Sequence, residues 1–156
     1  MKIGSSRFDE VEIDDKDVMN FERGIIGFPS LKRFVLMDFS DSSPFHWLQS
    51  IDEPEVGFVV SDPGVFIENY VVNIDDDTKQ LLRVDKDSEM VVMIVVTVKD
   101  GGRDVSGNLM GPIIVNADKR LGCQVVINTP DYNTRTPMKN DAGIGRSSKA
   151  NIGVAV

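Results

Sequence analysis

The sequence predicts a mainly β fold, a small antiparallel β-barrel-like single domain with one short helix. Three observations carry that expectation. About eight short apolar runs recur along the chain, bounded by Gly, Pro, Asn or Asp, as expected of successive strands joined by turns. The longest, Met90-Val-Val-Met-Ile-Val-Val-Thr-Val98, is nine residues rich in β-branched side chains. It suits a central strand covered on both faces rather than a helix. Only one segment, from Asp76 to Val84, has helical character. With 156 residues, a single domain buries roughly 68–70% of its unfolded surface, enough for one hydrophobic core.

In chain order, Ile3 to Ile13 reads as the first strand, with Phe8, Val11 and Ile13 as inward anchors. Gly24-Ile-Ile-Gly-Phe-Pro29 is turn-rich, and Arg33-Phe-Val-Leu-Met-Asp-Phe39 is the next strand. Two adjacent strands follow in Pro44-Phe-His-Trp-Leu-Gln-Ser-Ile-Asp-Glu-Pro54 and Val56-Gly-Phe-Val-Val-Ser-Asp-Pro63, with a turn at Asp52–Glu55. A period of two puts Phe45, Trp47, Gln49 and Ile51 on one side, and His46, Leu48 and Ser50 on the other. After a strand at Tyr70–Ile74, Asp75, Asp76 and Asp77 supply an N-cap and complement the positive end of the helix. Leu81, Leu82 and Val84 form the helix's apolar face. Beyond Met90–Val98, Ile113–Asn116 and Cys123–Asn128 are strands joined by Ala117-Asp-Lys-Arg-Leu-Gly122. Gly122 is able to take the left-handed conformation that such loops often need. The domain spans residues 1–138. Residues 139–156, rich in Gly, Ser, Ala and Asn, read as a flexible tail in which Ile152–Val156 is a segment able to dock.

Composition narrows the function. The chain carries 25 acidic against 17 basic residues, a net charge of −8. That balance disfavours nucleic acid, which demands clustered Lys and Arg. It favours a basic protein partner and steers its approach, or equally serves as a solubility device. One cysteine, Cys123, excludes an internal disulfide framework and suits a reducing compartment. The N-terminus lacks the apolar core of a signal peptide, and the longest apolar run is under half of the ~20 residues that span a bilayer. The expectation is a soluble cytoplasmic monomer without membrane association.

No catalytic constellation stands out. Asp85-x-Asp87-x-Glu89 has the alternating acids of a calcium loop, but Met90 sits where that loop requires glycine. One His and one Cys cannot assemble a tetrahedral zinc set. His46, the sole histidine, is flanked by Phe45 and Trp47 on a strand, where a structural role is the commoner one. Acids cluster at Asp14, Asp15 and Asp17, at Asp52, Glu53 and Glu55, and at Asp75 to Asp77, as turn chemistry alone produces. Gly143-x-Gly145 follows no strand, so it is not a nucleotide fingerprint. The expectation is a protein that is not an enzyme, with no catalytic, cofactor or metal residues. The alternative is a small β-barrel hydrolase using His46 with Cys123 or a carboxylate. Phe45, Trp47, Phe58, Phe66 and Tyr70 are concentrated in the middle third. They serve as core or, where they protrude, as anchors for a partner.

Four fragments resemble one family in order and spacing. They are Phe8-Asp-Glu-Val-Glu-Ile13; Gly24-Ile-Ile-Gly-Phe28 with Arg33-Phe-Val-Leu36; the Pro44–Pro63 stretch; and Asn108-Leu-Met-Gly-Pro-Ile-Ile-Val-Asn116 with Arg120-Leu-Gly-Cys-Gln-Val-Val-Ile127. Together they are similar to FliW, the flagellar assembly factor, from the first strand to about Met138. His46 stands where the family often has an aromatic residue, Gly111 where it has a small residue such as Ala, and Cys123 where it is usually polar. The tail lies outside the resemblance. The resemblance implies a non-catalytic β-barrel-like domain with two protein partners. One is CsrA, a basic dimeric repressor of flagellin translation, and the other is flagellin itself. Export of flagellin frees the factor to capture CsrA, so synthesis resumes. A dedicated flagellin chaperone without CsrA binding is the variant reading. Asp52, Glu53 and Glu55, at the turn beside the aromatic strands, are the residues expected to steer a basic partner. Asn108 and Arg120 join them as partner-binding candidates, although hydrogen bonding within their loops explains both equally well.

Overall fold

Pairing of the short apolar runs with one another, rather than with helices, dictates the architecture. The computed structural model describes residues 2–4, 10–38 and 43–139, together with the backbone of 151–154. The strands are β1 (Lys2–Ile3), β2 (Val11–Glu12), β3 (Met19–Asn20), β4 (Arg33–Asp38), β5 (Phe45–Ser50), β6 (Gly57–Ser61) and β7 (Val71–Ile74). Helix α1 (Asp76–Leu81) follows, then β8 (Met90–Lys99), β9 (Asp104–Gly107), β10 (Ile113–Asn116), β11 (Leu121–Gln124), β12 (Thr136–Pro137) and β13 (Asn151–Val154).

The main sheet has the order β10-β11-β3-β4-β5-β6-β8-β9-β12, and β8 also pairs with β10. β8 makes this curl because it is long enough to be shared. Met90–Met93 pair with β10, Ile94–Val96 with β6, and Val96–Lys99 with β9. The result is a barrel-like, mainly antiparallel sheet. The exceptions are the parallel pairs β11–β3, at Leu121↔Asn20, and β13–β7.

Burial follows the strand pattern. Phe21, Phe34, Leu48, Val60 and Ile113 are fully buried in one cluster, with Phe21 and Phe34 meeting edge-to-face at 5.1 Å between ring centroids. A second cluster joins Tyr70, Val72, Ile74 and Leu82 to Ile94 and Ile114, tying β7 and α1 to the sheet. Each such side chain contributes roughly 1.5–3 kcal/mol on leaving water. Inside the second cluster the buried Tyr70 hydroxyl donates to the Leu109 carbonyl. Burial pushes the Tyr70 phenol well above its ordinary value, with the neighbouring Tyr132 adding to the effect.

α1 begins as its acids predict, with Asp75 accepting from the Thr78 amide at 2.8 Å. It ends short of Val84 because Arg83 turns to φ 52. The fully buried Asn116 then satisfies the helix end, donating from Nδ2 to the Leu82 carbonyl at 2.9 Å.

Several expectations need correction. Ile3 to Ile13 is not one strand but the hairpin of β1 and β2, paired Lys2↔Glu12 and Ile3↔Val11. Ile3 and Ile13 pack on Val35 of β4, and Phe8 lies outside the described residues. Gly122 is not the left-handed residue of its loop; that is Arg120, at φ 54. Gly122 serves β11 differently, because a Cβ there would lie 2.5 Å from the Phe21 ring. The strand expected at Cys123–Asn128 lies earlier, at Leu121–Gln124. The Val125 and Ile127 amides donate to the Pro112 and Met110 carbonyls, but Pro112 has no N–H to return. The Met110 amide is taken by Asn108 Oδ1, so no ladder forms. Of the expected tail, residues 140–150, 155 and 156 lie outside the described residues.

Candidate protein-interaction site

The acidic run Asp14–Asp17 folds as a single 3-10 turn because Asp14 caps it, accepting from the Lys16 amide at 3.1 Å. This turn stands beside the outer face of β4. Between them opens a groove of about 880 Å³. Its apolar surface comes from Ile13, Met19, Val35, Leu36 and Met37, and its charge from Glu12, Asp14, Asp15, Asp17 and Asp38. Leu36 is 40% exposed, so apolar surface is offered between the carboxylates.

Arg120 is the one cation lining this groove among the described residues, and it is committed. Its Nε donates to the Lys16 carbonyl at 3.0 Å and its Nη2 to Asp17 at 3.3 Å, while its carbonyl accepts from the Asn20 amide at 2.8 Å. The left-handed Arg120 backbone thus anchors the acidic turn to the β3–β11 junction. At the far end of β4, Asp38 meets His46 Nδ1 at 2.5 Å. The groove is an acidic trough with an apolar floor.

The structure places the other expected partner-binding residues elsewhere. Asp52, Glu53 and Glu55 occupy the β5–β6 turn, at the Arg33 end of β4, about 17 Å of strand from Asp38. Asp52 is used structurally. One oxygen accepts from the Lys32 and Arg33 amides at 2.9 and 3.1 Å, and the other meets the Arg33 side chain at 2.9 Å. Partial desolvation pulls its pKa up, but the Lys32 and Arg33 hydrogen bonds and the guanidinium charge outweigh it and hold the carboxyl below its ordinary value. Glu53 and Glu55 are exposed on the same turn. Asn108 closes a local turn through Met110 and does not line the groove.

The residues considered for hydrolysis are differently disposed. Cys123 is buried, and burial raises its thiol to about 11, so at neutral pH it keeps its proton. His46 and Asp38 form a solvent-open pair, with side chains 39% and 69% exposed. Asp85 accepts from the Asp87 amide and binds Lys119 Nζ at 2.9 Å.

Turn chemistry accounts for the Asp14, Asp15 and Asp17 cluster, with Asp14 capping the 3-10 turn, but the groove that the cluster borders leaves no local mark in the sequence. The missing signal was spatial, since Asp38 and Arg120 join the cluster only through the β3–β4 and β3–β11 pairings.

Comparison with known proteins decides the family. The family model described as "FliW protein" matches residues 2–138. The chain belongs to the FliW family. The flagellar assembly factor FliW of Geobacillus kaustophilus is 38% identical over 135 residues, covering 86% of this chain and 93% of the relative. That of Natranaerobius thermophilus is 38% identical over 146 residues, covering 92% and 95%. A crystal structure of the flagellar assembly factor FliW superposes with a TM-score of 0.82 at 34% identity, covering 90% of this chain and 99% of that one. No helix among the described residues is long and apolar enough to cross a membrane.

Proposed function

We propose that this chain is a cytoplasmic, non-enzymatic flagellar assembly factor that binds CsrA and flagellin alternately, coupling flagellin synthesis to export. The observation that carries the CsrA half is the groove beside β4. Five carboxylates and one paired guanidinium surround an apolar floor, which suits a basic protein better than an RNA or a small anion. Glu53 and Glu55 extend the acidic field along the same sheet. Asp52, Asn108 and Arg120 hold their turns, and Arg120 also lines the groove.

The test is association kinetics with CsrA. Reversing Asp14, Asp15 and Asp38 to Lys is expected to lower the on-rate by about tenfold at low salt and to flatten its salt dependence. Reversing Glu53 and Glu55 produces a smaller change of the same sign. Unchanged on-rates in the groove variant would remove it as the CsrA surface. Binding to flagellin with none to CsrA would point to a dedicated flagellin chaperone.

A further inference from the structure

β7 stands apart from the main sheet. Among the described strands it pairs only with β13, in parallel register from Asn151↔Val71 to Val154↔Ile74. An unpaired strand edge presents N–H and C=O groups that recruit another extended chain, and here the chain's own tail is the recruit. The arrangement is intrinsically weak. Parallel pairing is less stable per residue than antiparallel, and a lone two-stranded pair is marginal in water.

The surroundings of β7 suit an exchangeable occupant. Val72 and Ile74 are buried and hold the strand rigidly in the core, while Val71 and Asn73 face outward. A groove of about 500 Å³ adjoins the strand, between it and residues 125–132. Val71 and Val126 on its walls are 40% and 68% exposed, beside the polar Asn73, Thr129 and Tyr132. A rigid strand, an edge whose strand pairing among the described residues is with the short β13, and a neighbouring mixed groove where the Val71 amide donates to the Tyr132 hydroxyl at 3.4 Å suit strand addition, with backbone pairing giving affinity and side-chain space giving selectivity.

We propose that β7 is a strand-acceptor site for an extended segment of a partner protein, which residues 151–154 fill in the unbound chain. The tail defines the chemistry of the partner segment. Asn151-Ile-Gly-Val154 is uncharged, lacks proline, and mixes β-branched with small residues. A tethered occupant acts at millimolar effective concentration, so only a segment that outcompetes it enters. This inference is independent of the groove beside β4 and of the identity of its partner.

The test compares the full chain with a full-length variant carrying Ile152→Pro and Gly153→Pro. Successive strand amides point to opposite sides, so the pair removes a donor facing β7 in either orientation. The probe is a fluorescein-labelled peptide with the sequence of residues 149–156. It is expected to bind the variant saturably, one to one, and to bind the unaltered chain at least about tenfold more weakly. Hydrogen exchange over 71–74 is expected to quicken in the variant and to slow again with peptide. Equal binding to both chains, or binding to neither, would overturn the proposal. So would concentration-dependent dimers of the unaltered chain held by exchanged tails.

Discussion

Gln49 shows how one side chain can organise a turn. It is fully buried in β5, accepts from Trp47 Nε1 at 2.8 Å, and donates from Nε2 to the Ser50, Pro54 and Val56 carbonyls. The β5–β6 turn is thereby tied to its own strand, and the Trp47 indole packs against Gly57. A Cβ at Gly57 would sit 2.3 Å from the indole, so Gly57→Ala is expected to cost about 1–3 kcal/mol through overpacking, measurable by urea unfolding. Period-two alternation located Gln49 and Trp47 on one side of β5, but nothing in the local pattern marks a glutamine as the buried hub. Asp52 makes a pH prediction. Its folded-state pKa lies below the ordinary aspartate value, so its stabilisation is complete above that ordinary value and fades as pH falls through the lowered one. Asp52→Asn is expected to destabilise by about 1 kcal/mol at pH 7, and the two chains should converge as pH falls through the lowered Asp52 pKa in denaturant titrations. A gap unchanged at low pH would contradict the ion-pair role. Cys123, buried with its thiol near 11, is expected to resist a thiol reagent at pH 8 in the folded chain and to react at once in denaturant.

At the scale of elements, what the sequence made legible were those with internal periodicity. β4, β5, β6, β8 and β10 are runs of four or more residues whose apolar pattern announces them, and α1 is announced by its acidic cap. The elements that escaped notice have no such pattern. β9, Asp-Val-Ser-Gly, is mostly polar and exists because β8 is long enough to pair with it. β3 and β12 are two residues each and depend on distant partners. The β11 boundary was displaced because Pro112 and Asn108 deny Val125 and Ile127 a return bond, a constraint set by another segment. β11 also depends on Gly122. Gly122→Ala, with its Cβ 2.5 Å from the buried Phe21 ring, is expected to cost about 1–3 kcal/mol, lowering Tm by roughly 3–10 °C in a melt followed by circular dichroism. An unchanged Tm would mean that β3 and β11 yield at that contact.

For the molecule as a whole, a charge of −8 suits a basic partner or solubility alike, and net charge marks no particular surface. The groove beside β4 draws on β2, β3, β4, the acidic turn and the loop before β11, segments more than a hundred residues apart in the chain. Only the curled sheet brings them together. The same curl leaves β7 outside the main sheet, on a separate edge, so the two proposed surfaces differ in kind: one electrostatic, one backbone-directed. Exclusion between partners does not require a shared surface, since a coupling free energy between two sites has the same consequence. The most direct test of the proposed function is calorimetric titration of the chain with CsrA, performed with and without prior saturation by monomeric flagellin. The account predicts CsrA binding that flagellin abolishes; CsrA binding that flagellin leaves unchanged, or no CsrA binding at all, would contradict it.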